Sequence, residues 1–212
     1  MSEGASRRAR VAVLVSGGGT NLQAILDASA RGEMPAGEVV CVISNVAGAY
    51  ALTRAENAGI PALCCVREAG EAKAAFEERL GEMLKENGAE LIVLAGFMVI
   101  LSADFVKRYP DRIVNVHPAL IPSFCGKGFY GLHVHEAALA RGVKVTGATV
   151  HLVNEIPDGG RILLQKAVEI LPGDTPERLQ RRVMEQAEWQ LLPKAVQMLS
   201  EQICGKAQAR EG

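Results

Sequence analysis

Several functional classes are disfavoured by what this sequence lacks. Aromatic residues make up only 4% of the 212 residues, and the formal net charge is −1. The composition therefore supports neither a base-stacking surface nor the positive charge with which proteins bind nucleic acids or acidic membranes. No apolar run is long enough to cross a membrane, and no secretory signal precedes the first apolar segment.

Ordered cysteine motifs are also missing. The chain has five cysteines, an odd number, and they form neither a CxxC motif nor a Cys/His ligand pattern: Cys41, Cys64, Cys65, Cys125 and Cys204. This usage favours reduced thiols and therefore predicts a cytoplasmic protein.

What is present suffices for one domain. A hydrophobic content of 49% allows an α/β domain of ordinary size to bury a substantial core. We expect this domain to span residues 10–204, between disordered tails at residues 1–9 and 205–212. No internal repeat and no linker indicates a second domain.

Short apolar runs alternate with segments of helical spacing along the chain. Runs such as Val11–Val15 and Leu91–Ala95 are apolar throughout, which is typical of strands buried on both faces of a parallel sheet. The alternation predicts an α/β fold with an open, mostly parallel, twisted sheet flanked by helices. The predicted strands are residues 10–15, 39–44, 62–65, 91–95, 113–116, 145–153 and 161–168, and the predicted helices are residues 22–26, 50–58, 68–87, 103–108, 135–140 and 176–200.

The pattern changes after Pro118. Residues 119–134 are rich in Gly, Phe and Pro and predict a long loop. The last two strands flank a turn containing Pro157–Gly160, which predicts a hairpin-like pair and hence a mixed, partly antiparallel late sheet. Thr175 as N-cap and Pro176 at the first helical position predict the start of a long C-terminal helix.

A glycine-rich turn follows the first strand. The segment Ser16–Asn21 matches neither the GxGxxG fingerprint nor a Walker motif, because it has no lysine. Such a turn still presents backbone N–H groups at a helix N-terminus, which favours an anion. The alternative is a tight turn without a ligand, in which Thr20 and Asn21 act as helix caps rather than phosphate donors.

Polar groups also follow the strand that ends near Pro118. Asn115 and His117 stand two residues apart, so on a strand both side chains leave the same face, and Pro118 then ends the strand. Asp158 lies in a Pro-Asp-Gly-Gly turn. An amide, an imidazole and a carboxylate together can stabilise an oxyanion and move a proton. Taken singly, each is compatible with a structural role, as is His151 in an apolar strand.

A metal site is not predicted. His133, His135 and Glu136 are the nearest approach to a ligand cluster, but two histidines two residues apart do not share a helical face. We therefore expect no metal cofactor.

Five segments together resemble the phosphoribosylglycinamide formyltransferase family, the folate-dependent formyltransferases of purine synthesis. The resemblance extends from about Arg10 to Met198. It rests on Ser16–Leu22 (SGGGTNL), Leu94–Met98, Asn115–Pro118, His151–Gly160 with Gln165, and Glu188 before Trp189.

The resemblance implies a Rossmann-like fold and a defined reaction. The formyl group of 10-formyltetrahydrofolate would pass to the amine of glycinamide ribonucleotide, giving formylglycinamide ribonucleotide and tetrahydrofolate. The protein would act on small molecules, without metal, as a monomer or homodimer. The implied catalytic residues are Asn115, His117 and Asp158. The implied ribonucleotide contacts are Gly18, Gly19, Thr20, Asn21, Pro118 and Glu188, and the implied folate contacts are Met98, Val99, Ile100, Leu101, Asn154, Glu155 and Asp158.

In the implied mechanism, the Asn115 amide and a protonated His117 form the oxyanion hole. Asp158 keeps His117 charged and carries the proton, through a water molecule, from the attacking amine toward the leaving nitrogen.

The chain departs from the family pattern in four places. Val99 and Leu63 stand where many members have basic residues, which bears on the glutamate tail of the folate. The loop Phe124–Gly131 is about five residues longer than in shorter members. One extra residue stands near Met184–Ala187, so no basic ligand is carried over there.

Two alternative functions stay open. The first is hydrolysis of 10-formyltetrahydrofolate with water as the acceptor, against which the phosphate loop argues because water needs no phosphate clamp. The second is a non-catalytic nucleotide- or folate-binding module, against which the joint occurrence of Asn115, His117 and Asp158 argues.

Overall fold

The computed structural model describes residues 7–211. In this range the chain forms seven strands: β1 Ala9–Val15, β2 Gly37–Ser44, β3 Ala62–Cys64, β4 Leu91–Leu94, β5 Ile113–His117, β6 Val145–Leu152 and β7 Ile162–Glu169. They make one sheet in the order β3-β2-β1-β4-β5-β6-β7. The strands from β3 to β5 in this order are parallel, whereas β6 and β7 are antiparallel to their neighbours. The predicted mostly parallel α/β sheet with an antiparallel end is confirmed.

Helices cover both faces of this sheet. They are α1 Thr20–Ala30, α2 Tyr50–Asn57, α3 Lys73–Glu86, α4 Ala103–Lys107, α5 Leu132–Arg141, α6 Pro176–Val183 and α7 Trp189–Glu211. The C-terminal helix predicted from Pro176 is present, but a π-helical turn at Met184–Glu188 divides it into α6 and α7.

Two hydrophobic cores lie on opposite faces of the sheet. Along β1, Val11 and Val13 pack into one core with residues of α1 and α7, while Ala12 and Leu14 pack into the other with residues of α3 and α4. Because successive side chains of a strand point to opposite faces, a strand covered on both sides must be apolar at every position. This explains the unbroken apolar runs in the sequence.

Several element boundaries differ from the prediction, and three of them illustrate the reasons. The third helix begins at Lys73 rather than residue 68. Glu71, in the segment before the helix, pairs with Arg79 of α3 at 2.8 Å. Helix α5 begins at Leu132, inside the stretch predicted as loop, after Gly131 takes a positive φ of 53°. Strand β2 begins at Gly37, two residues earlier than expected, in register with β1.

The predicted tails need correction. Helix α7 continues through Gly205 to Glu211, so residues 205–211 are helical rather than disordered. One glycine costs a helix about 1 kcal/mol, and the residues beyond it, Lys, Ala, Gln, Ala, Arg and Glu, are strong helix formers. At the other end, β1 starts at Ala9, and Arg8 pairs with Glu38 at 3.1 Å. Residues 1–6 and 212 of the predicted tails lie outside the described residues.

The strand order determines where a ligand can bind. β1 lies between β2 and β4, and the chain crosses from one side of β1 to the other between β3 and β4. Open α/β sheets bind ligands at such a reversal, beyond the carboxyl ends of the strands. Three segments are therefore neighbours at this edge of the sheet: the glycine-rich turn after β1, the segment after β4, and His117 with Pro118 at the end of β5.

Candidate active site

Asn115 and His117 occupy the last part of β5, as predicted. Val114 and Val116 pack into one hydrophobic core, so Asn115 and His117 leave from the opposite face of the sheet. His117 is 4% exposed and Asn115 is partly buried. The strand thus holds an amide and an imidazole side by side in a site largely shielded from water.

His151 lies directly across from Asn115 in the register of β5 and β6. Its Nε2 is 3.2 Å from Asn115 Nδ2, and its Nδ1 donates to the Leu152 carbonyl oxygen at 2.8 Å. His151 is 1% exposed, in keeping with the buried structural role the sequence favoured. It also contacts the catalytic candidates, which makes it part of the site.

Asp158 is brought to the same place by the turn between β6 and β7. One carboxylate oxygen, Oδ2, is 3.6 Å from His117 Nδ1, and the other, Oδ1, is 3.5 Å from His151 Nε2. Asp158 has a φ of +56°, which aspartate tolerates better than most residues. A Cβ on Gly160 would lie 1.7 Å from the Leu152 carbonyl oxygen, so the turn requires glycine there.

Burial and charge act in opposite directions on His117. Burial lowers its pKa from 6.5, and the negative charge of Asp158 offsets this only in part. In this conformation burial therefore opposes the charged form of the ring, and Asp158 supports it. For Asp158, burial alone would raise the pKa. The hydrogen bonds from His151 and the Gly126 amide, with the charge of His117, outweigh burial and hold the pKa below its ordinary value.

The long loop Phe124–Gly131 covers the catalytic candidates. His117 Nε2 donates to the Phe124 carbonyl oxygen at 2.8 Å, and the Gly126 amide donates to Asp158 Oδ2 at 2.8 Å. Phe124 has a positive φ of 50°, and its ring packs edge-on against Phe129 at 6.3 Å. Of the two roles the sequence left open for this loop, covering the site and forming a subunit contact, these contacts support the first.

Thr149 is a supporting residue that was not predicted from the sequence. It lies opposite His117 in the register of β5 and β6. Its hydroxyl donates to the Ala119 carbonyl at 2.7 Å and accepts from the Ile121 amide at 3.1 Å and from Gln165 Nε2 at 2.9 Å. These bonds hold the segment that follows Pro118, which is itself partly buried. A hydroxyl side chain in the predicted strand that also carries His151 was the available signal.

The glycine-rich turn has the geometry expected of an anion site. Gly19 has a φ of +71° and precedes the first residue of α1. A Cβ on Gly19 would lie 2.6 Å from the Cβ of Ala51, so both conformation and space demand glycine. Thr20 and Asn21 form the first turn of α1, where the backbone N–H groups have no partners within the helix.

Glu188 meets this turn through Asn21, whose Nδ2 donates to Glu188 Oε2 at 2.7 Å. Glu188 is only 5% exposed, and burial raises its pKa to about 7 although the Asn21 hydrogen bond opposes the shift. It is the last residue of the π-helical turn. A π turn accommodates one additional residue in a helix, which accounts for the extra residue noted near Met184–Ala187.

The predicted folate contacts divide into two groups. Met98 and Ile100 are 53% and 60% exposed after β4, whereas Val99 and Leu101 pack against the core. Asn154 shapes the β6–β7 turn, accepting from the Ile156 amide at 3.0 Å and donating to the Gly159 carbonyl at 3.2 Å. Glu155 is exposed.

Within residues 7–205, no group of three or more His, Cys, Asp and Glu side chains has the geometry to hold a metal ion. His133 is exposed and bonded to Glu136, whereas His135 is fully buried, so the two do not share a site. Among the helices described here, none is both long enough and apolar enough to span a bilayer.

Comparison with known proteins agrees with this geometry. Residues 9–196 match the family model described as formyl transferase. The phosphoribosylglycinamide formyltransferase of Haemophilus influenzae is 41% identical over 192 residues, covering 91% of this chain and 87% of that protein. The trifunctional purine biosynthetic protein adenosine-3 of Bos taurus is 44% identical over 92% of this chain, which spans only 18% of that longer protein.

A solved structure shares the fold. Glycinamide ribonucleotide transformylase 1 from Symbiobacterium toebii superimposes with a TM-score of 0.85 at 43% identity, covering 92% of this chain and 88% of that one. The chain therefore belongs to the formyl transferase family, and within it to the phosphoribosylglycinamide formyltransferases.

Proposed function

We propose that the protein transfers the formyl group of 10-formyltetrahydrofolate to the amine of glycinamide ribonucleotide. The observation that carries the proposal is the convergence of Asn115, His117 and Asp158 beyond the end of β5, beside the glycine-rich turn that follows β1. An amide and an imidazole donor meet a carboxylate at a site that also offers a place for a phosphate.

Formyl transfer proceeds by direct attack of the substrate amine on the formyl carbon. The carbonyl oxygen becomes an oxyanion, which accepts hydrogen bonds from Asn115 Nδ2 and His117 Nε2. Because His117 Nε2 now donates to the Phe124 carbonyl, that carbonyl must give way to the formyl oxygen. His117 Nε2 then donates to the formyl oxygen instead of the Phe124 carbonyl oxygen.

His117 does not need to be charged before the substrate arrives. The hydrogen bond to Phe124 requires a proton on Nε2, so a neutral ring already has the tautomer that donates to an oxyanion. As negative charge develops on the formyl oxygen, it favours the protonated ring. Asp158, on the Nδ1 side, then stabilises that positive charge.

Asp158 transfers the proton from the attacking amine of the substrate to the leaving nitrogen of the folate. Its lowered pKa keeps the carboxylate ionised at neutral pH, as a proton acceptor must be. A water molecule between carboxylate and amine relays the proton, which returns to the nitrogen of the departing tetrahydrofolate.

Substrate contacts follow from the same arrangement. The phosphate of the ribonucleotide binds the amides of Gly18, Gly19, Thr20 and Asn21, with Pro118 and Glu188 beside the ribose and amine. The exposed side chains of Met98 and Ile100 border the pterin of the folate, and the backbone of Asn154–Gly159 supplies its hydrogen bonds. Within this proposal, residues 10–204 form the catalytic domain, acting in the cytoplasm without metal as a monomer or homodimer.

A spectrophotometric assay with 10-formyltetrahydrofolate, with and without glycinamide ribonucleotide, tests the proposal. Turnover that depends on the ribonucleotide is the expected result. Equal turnover without it would identify a hydrolase, and the absence of turnover in both conditions, with ligand binding retained, would identify a binding module.

A further inference from the structure

Helix α2 holds the glycine-rich turn from behind. The Ala51 amide donates to the Gly17 carbonyl oxygen at 3.1 Å. Arg54 Nε donates to the Gly18 carbonyl oxygen at 2.8 Å. Two successive carbonyl groups of the turn therefore point toward α2, each fixed by its own donor.

The direction of these carbonyls determines the direction of the amides. In a planar trans peptide the C=O and N–H groups point in opposite directions. Anchoring the carbonyls of Gly17 and Gly18 therefore turns the N–H groups of Gly18 and Gly19 away from α2. Within the described part of the chain, neither amide donates to a backbone or side-chain acceptor. Successive amides aimed at one point form a concave anion site.

Arg54 is itself held in place on three sides. Besides the bond to Gly18, its Nη1 donates to Gln23 Oε1 of α1 at 2.8 Å, and its guanidinium carbon lies 4.9 Å from the centre of the Tyr50 ring. The side chain is half-buried and forms no ion pair with any residue of the range 7–205. Its positive charge is thus fixed beside the turn and not neutralised.

A second arginine, Arg31, lies nearby, but it forms an ion pair and does not contact the turn. Arg31 and Arg54 line the same cavity of about 310 Å³ next to Thr20. Arg31, however, pairs with Glu33 at 2.7 Å and does not contact the turn. The turn contains no lysine, so Arg54 is the cation in contact with it.

We propose that Arg54 is a positioning residue for the substrate phosphate. It holds the Gly18–Gly19 peptide so that the amide faces the phosphate, and it places a positive charge directly behind that peptide. The inference rests on the proposed function, since it assigns the turn to the phosphate of glycinamide ribonucleotide. It predicts that Arg54 serves the phosphorylated substrate selectively and takes no part in formyl chemistry.

The test compares Arg54→Met with wild type on two acceptors, glycinamide ribonucleotide and the ribonucleoside without phosphate. Charge-assisted hydrogen bonds contribute about 1.5–3 kcal/mol, equivalent to about 10- to 100-fold. We expect kcat/KM for the ribonucleotide to fall by this factor, mainly through KM, and kcat/KM for the ribonucleoside to stay unchanged. Arg54→Lys, which keeps the charge and one donor, should recover part of the loss.

Arg31→Met is the matched control, because it removes the same charge from the same cavity without touching the turn. It should leave both acceptors unaffected. If Arg31→Met lowered kcat/KM for the ribonucleotide as much as Arg54→Met does, the effect of Arg54 would come from its positive charge alone, and the positioning role would be overturned. An equal loss on both acceptors, or no loss, in Arg54→Met would overturn the proposal.

Binding of ribose 5-phosphate, measured by titration calorimetry against ribose, separates this inference from the proposed function. If the wild-type protein prefers ribose 5-phosphate to ribose but transfers no formyl group, only the proposed function is refuted. The role of Arg54 then still predicts that Arg54→Met loses the preference for ribose 5-phosphate. Wild type that shows no such selectivity would overturn the phosphate assignment and the role of Arg54 together.

Discussion

Among single residues, Glu188 shows how burial changes the acidity of a carboxyl group. Its carboxyl group is nearly inaccessible to water, and its one hydrogen bond from Asn21 does not offset the loss of hydration. A carboxyl group with a pKa of about 7 can hold or release a proton at neutral pH. This suits the proposed contact of Glu188 with the amine or ribose of the ribonucleotide.

The raised pKa of Glu188 has a consequence for stability. Between its ordinary value of 4.5 and about 7, the unfolded chain ionises this carboxyl before the folded protein does. The free energy of unfolding should therefore fall as pH rises through this range, by up to about 3 kcal/mol, because each unit of pKa is worth about 1.4 kcal/mol.

Glu188→Gln removes this dependence. Denaturant unfolding at about pH 5 and about pH 8 should show that the variant gains stability relative to wild type as pH rises. Glu185→Gln, at a 44% exposed side chain of the same π turn, is the control and should show no such gain. If the free energy of unfolding of Glu188→Gln differed from that of wild type by the same amount at both pH values, the raised pKa of Glu188 would be contradicted.

At the scale of the element, the loop Phe124–Gly131 is the part of the site that depends most on long-range contacts. The Phe124 carbonyl accepts from His117, seven residues earlier in the chain, and the Gly126 amide donates to Asp158, thirty-two residues later. The burial of His117 that lowers its pKa comes in part from this cover. We therefore expect the loop to influence both the protonation of the ring and the access of water.

Removing Cys125–Phe129 should change both properties. With the cover reduced, the pKa of His117 should rise toward 6.5, as an NMR titration of the ring would show. Release of formate without the acceptor should increase relative to transfer by about tenfold, since water then reaches the formyl group. Lys127→Ala, an exposed position in the same loop, is the control. An unchanged ratio of hydrolysis to transfer would mean that the loop does not exclude water.

At the scale of the whole molecule, most of the fold was predictable and specific contacts were not. Runs such as Leu91–Leu94 predicted buried strands because a sheet covered on both faces leaves no polar position. The π turn at Met184–Glu188 was not predicted as structure, since it depends on how α6 and α7 both fit the core. Likewise, the contact of the loop Phe124–Gly131 with His117 was not predicted, since neither segment carries a signature of it.

The site residues were predictable to the extent that they follow from strand geometry. The same-face arrangement of Asn115 and His117 comes from their spacing on a strand, which local sequence determines. The contact of Arg54 with Gly18 joins residues thirty-six positions apart and has no signature in either segment. Motifs thus identify the groups that do chemistry more readily than the residues that hold those groups in place.

His135 should make the stability of the whole fold sensitive to acid. It is fully buried in α5, neither ring nitrogen has a hydrogen-bond partner among the described residues, and burial lowers its pKa to about 4. As pH falls from 6.5 toward 4, the unfolded chain takes up the proton first, so the free energy of unfolding should decrease by up to about 3 kcal/mol.

His135→Leu should lessen this acid sensitivity. Unfolding measured at about pH 7.5 and about pH 4.5 should show the variant gaining stability relative to wild type as pH falls. His133→Gln, at an exposed position of the same helix, should retain the wild-type dependence. Equal acid sensitivity in His135→Leu and wild type would place the source of acid instability elsewhere.

In the proposed reaction, Asn115 and Asp158 act on the formyl group beside a phosphate site. The most direct test is the turnover of Asn115→Ala and Asp158→Asn with 10-formyltetrahydrofolate and glycinamide ribonucleotide, each checked for a wild-type fold by circular dichroism. Removing one oxyanion donor typically costs about 10²–10³ in kcat, and we predict losses of at least this order for both variants. Near-normal turnover in both variants would show that Asn115 and Asp158 are not the catalytic residues.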